Sequence, residues 1–279
     1  MKSCVFLVSA LALSFNCAFA CPAIGRLPDF NCNGHIDITV LGDSLVAGVG
    51  DKQRKGGYVA RAKDRLAEAA FYNYGVPGET SLQLIRKLQR EFSVNYPSTF
   101  VKNIVVSDII FLDTGRNDRW LNGPPLATYR NLQRARQLIE DKVFAESGHR
   151  PLIVTAVLTL PNRVLQEPWV RQLNNFLIKS NSSINPADLR FDKVSKSLLS
   201  ADNLHPAAAG YRYMADVLVN YLLTNYVRSA RKLRPDRDQD LLYDEYEEEV
   251  FGTSPDHPDS DFDGLLDGED IQPLAGILF

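Results

Sequence analysis

Val40 to Gly48 reads "VLGDSLVAG", a strand-like run that ends on an acid and a serine and passes at once into small residues. A serine hydroxyl is a poor nucleophile until a base takes its proton, so acyl-transfer chemistry at Ser44 needs an imidazole within hydrogen-bond reach. The chain offers four histidines. His35 lies in the entry loop, His149 in the turn "SGHRP" and His257 in an acidic tail, whereas His205 stands just ahead of the last long helical stretch. Asp202 precedes it by three residues, a spacing that in a turn lets the carboxylate reach Nδ1 while Nε2 faces outward. Such a pair fixes the tautomer and stabilises the imidazolium that forms on proton transfer, so activity should decline on acidification. Taken alone, "DNLHP" reads as a helix-start signal beside a surface histidine.

Four short blocks occur in order: "GDSL" at Gly42 to Leu45, "GVPGETS" with Gly78, "GRND" with Asn117, and "DNLH" from Asp202 to His205. Together they resemble the SGNH, or GDSL, hydrolases, over about residues 37 to 225. Their wording is similar to the bacterial lysophospholipase, thioesterase I and arylesterase type. The resemblance implies Ser44, Asp202 and His205 as catalytic residues. It implies the Ser44 N–H, the Gly78 N–H and the Asn117 side-chain amide as donors to a tetrahedral oxyanion, with no metal or other cofactor in the chemistry. The residue types suit that role: glycine lets its backbone approach closely, and asparagine offers an NH2 without a charge. Loss of one such donor costs about 3 kcal/mol of transition-state stabilisation. Read singly, Gly78 is a turn after Pro77 and Asn117 a capping residue. Asp43, Asp113 and Asp118 read as acceptors that brace loops. Arg116 stands where the resembling group often has a second glycine, a departure that bears on the substrate pocket.

From Ile38 onward, short apolar runs rich in branched residues alternate with longer amphipathic stretches, the pattern of a parallel sheet with crossover helices. The expected strands are "DITVLG", "AFYNYGV", "DIIFLDTG", "PLIVTAV" and "LRFDKV". The expected helices are "GYVARAKDRLAEAA", "SLQLIRKLQREF", "LATYRNLQRARQLIEDKVFAE", "EPWVRQLNNFLIKS" and "AAAGYRYMADVLVNYLLTNYV". Binding groups in such a sheet collect beyond the carboxyl ends of the strands, which puts Ser44, Gly78 and Asn117 on one rim. The expectation is an α/β, three-layer α/β/α sandwich around a five-stranded, mostly parallel sheet, flavodoxin-like by the family resemblance, plus a small calcium-binding loop extension.

Residues 1–20, with Lys2, an apolar centre and the ending Ala18-Phe19-Ala20, read as a signal peptide cleaved before Cys21, and so a secreted or periplasmic product. A lipid-modified Cys21 is the competing reading. Cys4 and Cys17 leave with the leader, so Cys21 and Cys32 should form a disulfide. No later run reaches the ~18 apolar residues of a membrane span. The organisation expected is signal 1–20, a clipped entry segment 21–36, a hydrolase domain 37–228 and an acidic extension 229–279.

The net charge of -3 conceals a division: residues 236–270 hold 15 acidic residues against one basic, whereas residues 21–235 hold 29 Lys and Arg against 19 Asp and Glu. The two segments attract each other, but the basic body also suits an anionic partner such as a phospholipid surface, and the tail a divalent cation. Nucleic acid is not expected, because no aromatic-and-basic recognition motif accompanies the charge. "DRDQDLLYDEYE" from Asp236 and "DSDFDGLLDGED" from Asp259 align at an offset of 23. The first places acids at Asp236, Asp238, Asp240, Asp244 and Glu247, the second at Asp259, Asp261, Asp263, Asp267 and Asp270. This is close to an EF-hand loop pattern, and it resembles bacterial thrombospondin type 3 repeats, which implies structural Ca2+. "DFNCNGHID" near the start echoes the same loop but reads as an Asn-Gly turn. The expected activity is a serine esterase acting on lipid-like or simple acyl esters or thioesters. A carbohydrate O-acetyl esterase and a non-catalytic, calcium-dependent surface-binding protein are the alternatives.

Overall fold

The computed structural model describes residues 23–274 except 54, 95, 122, 180–188, 229, 231–234, 241, 245, 246, 269 and 271–273. Its centre is β1 (Ile36–Gly42), buried at every residue, as a parallel strand covered on both faces must be. β2 (Ala69–Gly75), β3 (Ile109–Asp113) and β4 (Leu152–Thr155) join it in the order β2-β1-β3-β4, every pairing parallel.

Alternation along the strands divides the core into two faces. Ile38, Val40, Phe111 and Val154 pack on one side with Tyr58 of α1 (Gly57–Lys63) and Met214 of α6 (Ala208–Tyr221). Leu41, Ile110, Leu112 and Ile153 pack on the other with residues of α2 (Ser81–Phe92), α3 (Thr99–Val105) and α4 (Pro125–Ser147). α5 (Glu167–Lys179) closes that side through Val170, Leu173 and Leu177. α2 begins on a capping box, in which the Thr80 side chain accepts from Gln83 N and the Gln83 side chain accepts from Thr80 N.

Among the described residues four strands form where five were expected. "LRFDKV" contributes one parallel bridge, Val157 to Arg190, and then a single turn at Phe191–Lys193. Phe191 and Val194 are buried three residues apart, the spacing of a turn, and Arg190 and Asp192 pair with each other at 2.6 Å. α1 stops at Lys63, well short of the expected stretch, because Ala69 already pairs with Ile36 in β2. α3 was not expected; Ser98 caps it by accepting from Val101 N.

α6 runs on through Leu222–Tyr226, and the chain then returns to its own start. The Tyr226 hydroxyl donates to Pro28 O at 2.6 Å and the Tyr243 hydroxyl to Asp29 O at 3.1 Å. The expected leader and Cys21 lie outside the described residues; Cys32 is disulfide-bonded. Among the described residues, no helix is long and apolar enough to cross a membrane.

Candidate active site and acidic loops

Gly42 ends β1 so close to its neighbour that a Cβ there would stand 2.4 Å from Asp113 O. Glycine therefore lets the strand exit tightly against β3, and Ser44 follows in the turn. The Ser44 hydroxyl lies 2.9 Å from His205 Nε2, across 161 residues of sequence. His205 Nδ1 is 2.5 Å from Asp202 Oδ2, so the three groups expected from the sequence stand in one line. Burial works to raise Asp202, but hydrogen bonds from the His205 ring, Leu204 N, the Ser200 hydroxyl and His205 N outweigh it and hold the carboxyl well below its usual range. Asp202 is thus kept as an anion, the state in which it orients an imidazole.

Gly78 sits in the β2–α2 loop at φ +82, a conformation that favours glycine, with open space beside it. The Asn117 amide nitrogen donates to Glu79 O at 3.0 Å, so the second and third blocks are joined directly. Among the described residues, no hydrogen bond occupies the Ser44 or Gly78 N–H. The arrangement can take a proton from one oxygen and offer donors to another.

Beneath these groups lies a buried cluster. Arg116, 1% exposed, donates from Nη1 to both Asp43 oxygens at 2.8 and 2.7 Å and from Nη2 to Asp113 Oδ1 at 2.5 Å. The Tyr58 hydroxyl donates to the other Asp113 oxygen at 3.0 Å. Burial presses Asp43 upward while Arg116 pulls it down; with the guanidinium bonded to both oxygens, we read it as ionised. Arg116 therefore underlies the site and does not line its pocket. Asp118 accepts from Ser81 N at 2.8 Å, from the Ser81 hydroxyl and from the Thr128 hydroxyl at 2.8 Å. All three aspartates are braces, as their types suggested, and Asp113 with Arg116 at i and i+3 in "DTGR" was the one available hint of the ion pair.

Glu79 was not singled out from the sequence. It is 6% exposed, its Oε2 has no hydrogen-bond partner, and burial pushes its carboxyl up to about 7, with Lys87 pulling down and Asp43 pushing up. Exposed Trp120 and Leu121 follow Asn117 in the turn Arg116–Leu121, and Arg119 Nε of that turn donates to the carbonyl oxygen of exposed Leu165. Asn162 N donates to Asn203 O, and Arg163 Nη2 to Asp202 O, each at 2.8 Å. Residues 162–165 thus link the Arg116–Leu121 turn to the histidine turn.

The acidic segment repeats in bonding as it does in sequence. Asp244 N donates to Pro235 O and Asp267 N to Pro258 O, both at 3.0 Å. Arg237 N and Nε donate to Asp244, as Ser260 N and its hydroxyl do to Asp267. Three carboxylate groups have oxygens within 4.8 Å of one another: Asp236, Asp238 and Asp240; Asp240, Glu247 and Asp267; Asp259, Asp261 and Asp263. Asp244 and Asp270 stand outside these groups. Asp240 and Glu247 are fully buried, and Asp240 Oδ2, Glu247 Oε2 and both Asp238 oxygens have no hydrogen-bond partner. Burial first, then neighbouring carboxylates, push Asp240 up to about 7 and Glu247 up to about 8.

Residues 40–213 match the GDSL-like Lipase/Acylhydrolase family, well over half of the chain. The chain belongs to the GDSL-like lipase/acylhydrolase family. As a member it is an ester hydrolase by class. Among solved structures, a lipase, Lip_vut3, from a goat rumen metagenome is 21% identical with a TM-score of 0.56, covering 68% of this chain and 98% of its own. TesA is 18% identical with a TM-score of 0.50, covering 67% of this chain and 97% of its own. The acetyl xylan esterase AlAXEase is 17% identical with a TM-score of 0.50, covering 67% and 100%. At these identities the likeness is one of fold, and it supports the α/β architecture with a parallel sheet flanked by helices. No curated protein matches the chain.

Proposed function

We propose that this family member is a secreted or periplasmic serine esterase that hydrolyses carboxylic esters or thioesters of lipid-like or simple acyl type through an acyl-Ser44 intermediate. His205 Nε2 takes the Ser44 proton as Oγ attacks the acyl carbon. The carbonyl oxygen becomes an oxyanion facing the N–H groups of Ser44 and Gly78 and the amide of Asn117. The imidazolium, steadied by ionised Asp202, gives its proton to the departing alcohol or thiol. Water then enters, loses a proton to His205 and attacks the acyl-serine, which releases the carboxylic acid and the free Ser44 hydroxyl.

The observation that carries this reading is the 2.9 Å contact between Ser44 Oγ and His205 Nε2. Exposed Trp120 and Leu121, three and four residues after Asn117 in the same turn, support an acyl arm of some length over an acetyl group. The test is Ser44→Ala, which should remove hydrolysis of p-nitrophenyl esters by a factor of about 10³ or more with the melting temperature preserved. A variant that kept most of its activity would end the serine mechanism.

Ca2+ is the cation proposed for the acidic segment. Carboxylate oxygens are the hard donors it prefers, and the buried, unpartnered oxygens of Asp240 and Glu247 fit a cation held with Asp267. Asp236 and Asp238 would share Asp240 in a second group, and Asp259, Asp261 and Asp263 form the third. The ion supplies positive charge to a segment of 15 acidic residues; it has no part in ester cleavage.

A further inference from the structure

A cavity of about 470 Å³ opens beside Gly78, between the β2–α2 loop and one face of α2. Gln83, Arg86, Lys87 and Arg90 line it, and their spacing of i, i+3, i+4 and i+7 makes a single stripe along the helix. Among the described residues Arg86 and Lys87 make no salt bridge, although the Lys87 charge acts on the Glu79 and Glu91 carboxylates, and Arg90 is 3.0 Å from Glu91. The Lys87 ammonium is steadied over the Phe100 ring, 4.5 Å from its centroid. Glu79 forms part of the wall next to Gly78. Three cations thus converge on a groove whose other wall carries a proposed oxyanion donor.

We propose that this groove holds a phosphate-type group carried by the ester substrate itself, gripped by Arg86, Lys87 and Arg90. The inference deepens the esterase reading and rests on it. Two guanidiniums one helical turn apart suit a group with several terminal oxygens better than a single carboxylate, because each fork can take its own pair of acceptors. With its value raised to about 7 by burial, Glu79 holds its proton below neutrality, and a neutral carboxyl can donate to such a group. The substrate class is an acyl ester of a phosphate-bearing alcohol, with the phosphate directed to α2.

The test compares kcat/KM for 1-butyryl-glycerol 3-phosphate and 1-monobutyrin in the full chain, Arg86→Gln, Arg86→Glu and Ser44→Ala. The unaltered protein should prefer the phosphorylated ester by about tenfold. Arg86→Gln should pull the ratio toward unity, chiefly through KM for the phosphorylated ester, and Arg86→Glu should invert it. Inorganic phosphate should compete with the phosphorylated ester in the unaltered protein and do so less in Arg86→Gln. A preference kept with a palmitoyl pair assigns a lipid source, and one confined to the butyryl pair a soluble source; both support the subsite. Equal rates on the two butyryl esters, or a ratio that Arg86→Gln and Arg86→Glu leave unmoved, overturn it. If monobutyrin is cleaved by the unaltered protein and not by Ser44→Ala, that failure belongs to the subsite alone; if Ser44→Ala still cleaves it, the esterase reading fails first.

Discussion

The Arg116 cluster and the Asp240 cluster both bury carboxylates, and they meet the cost of buried charge in opposite ways. Asp43 and Asp113 receive a guanidinium from their own chain, bonded to three of their four oxygens. Asp240, Glu247 and Asp267 receive no cation from the described residues, and two of them turn an unpartnered oxygen into the cluster. The first arrangement is complete on folding. On the proposed cation reading the second is complete only when charge arrives from solution, so the body and the tail should respond to opposite manipulations.

Breaking the internal pair gives the largest effect. Arg116→Met leaves two buried carboxylates without a counter-charge and should lose about 3–5 kcal/mol of stability in urea titration. A loss below about 1 kcal/mol would mean that the two clusters do not differ as described. Calcium comes next. At a concentration of about a hundred times Kd it should add about 2.7 kcal/mol, read as a higher melting temperature that chelator reverses. Glu247→Gln should melt no lower than the unaltered protein in chelator and should lose most of the gain in Ca2+. An unmoved melting temperature in millimolar Ca2+ defeats the cation reading.

The smallest effect sharpens the contrast with an intermediate case, Glu79, a buried carboxyl with only Lys87 to oppose its burial. Its folded value of about 7 lies above the ordinary value of 4.5, so the folded state keeps a proton that the unfolded state has released. Stability should therefore fall as pH rises between those two values. Glu79→Gln has no proton to lose, and its melting temperature relative to the unaltered protein should rise from pH 4.5 to 7.5. A constant difference across that interval would put Glu79 in contact with solvent.

What was legible in the sequence is what is local or periodic. The four blocks named Ser44, Gly78, Asn117 and His205 because each occupies a short turn beside a strand or helix end, and the offset of 23 in sequence reappears in the bonds to Asp244 and Asp267. What escaped depends on partners distant along the chain. Arg116 looked like a pocket residue until the approach of β1 to β3 set Asp43 beside it, and nothing in "GET" announces that Glu79 is buried. "LRFDKV" has the composition of a strand, but Phe191 and Val194 bury at the spacing of a turn.

The turn at Asp29 shows how far a loop pattern alone can mislead. Asn33 N donates to Asp29 and Asn31, Gly34 N to Asp29 and His35 N to Asn33. Asp263, Gly264 and Leu265 make the same four bonds to Asp259, Asp261 and Asp263. The backbone is bonded alike in both, yet two amides replace two carboxylates at the entry turn. The hydrogen bonds describe the turn; the charge decides whether an ion is wanted.

Tyr226 and Tyr243 tie the end of α6 and the acidic segment to Pro28 and Asp29, just before β1 begins, whereas Ser44 follows where β1 ends. Seven residues of strand, about 23 Å, stand between anchor and nucleophile. An ion bound as proposed would therefore brace the acidic segment against the stretch just before β1, at the end of the strand opposite Ser44. Metal loading and turnover would in that sense be separable properties, with resistance to unfolding changing with the ion while catalysis in the folded protein proceeds at its own rate.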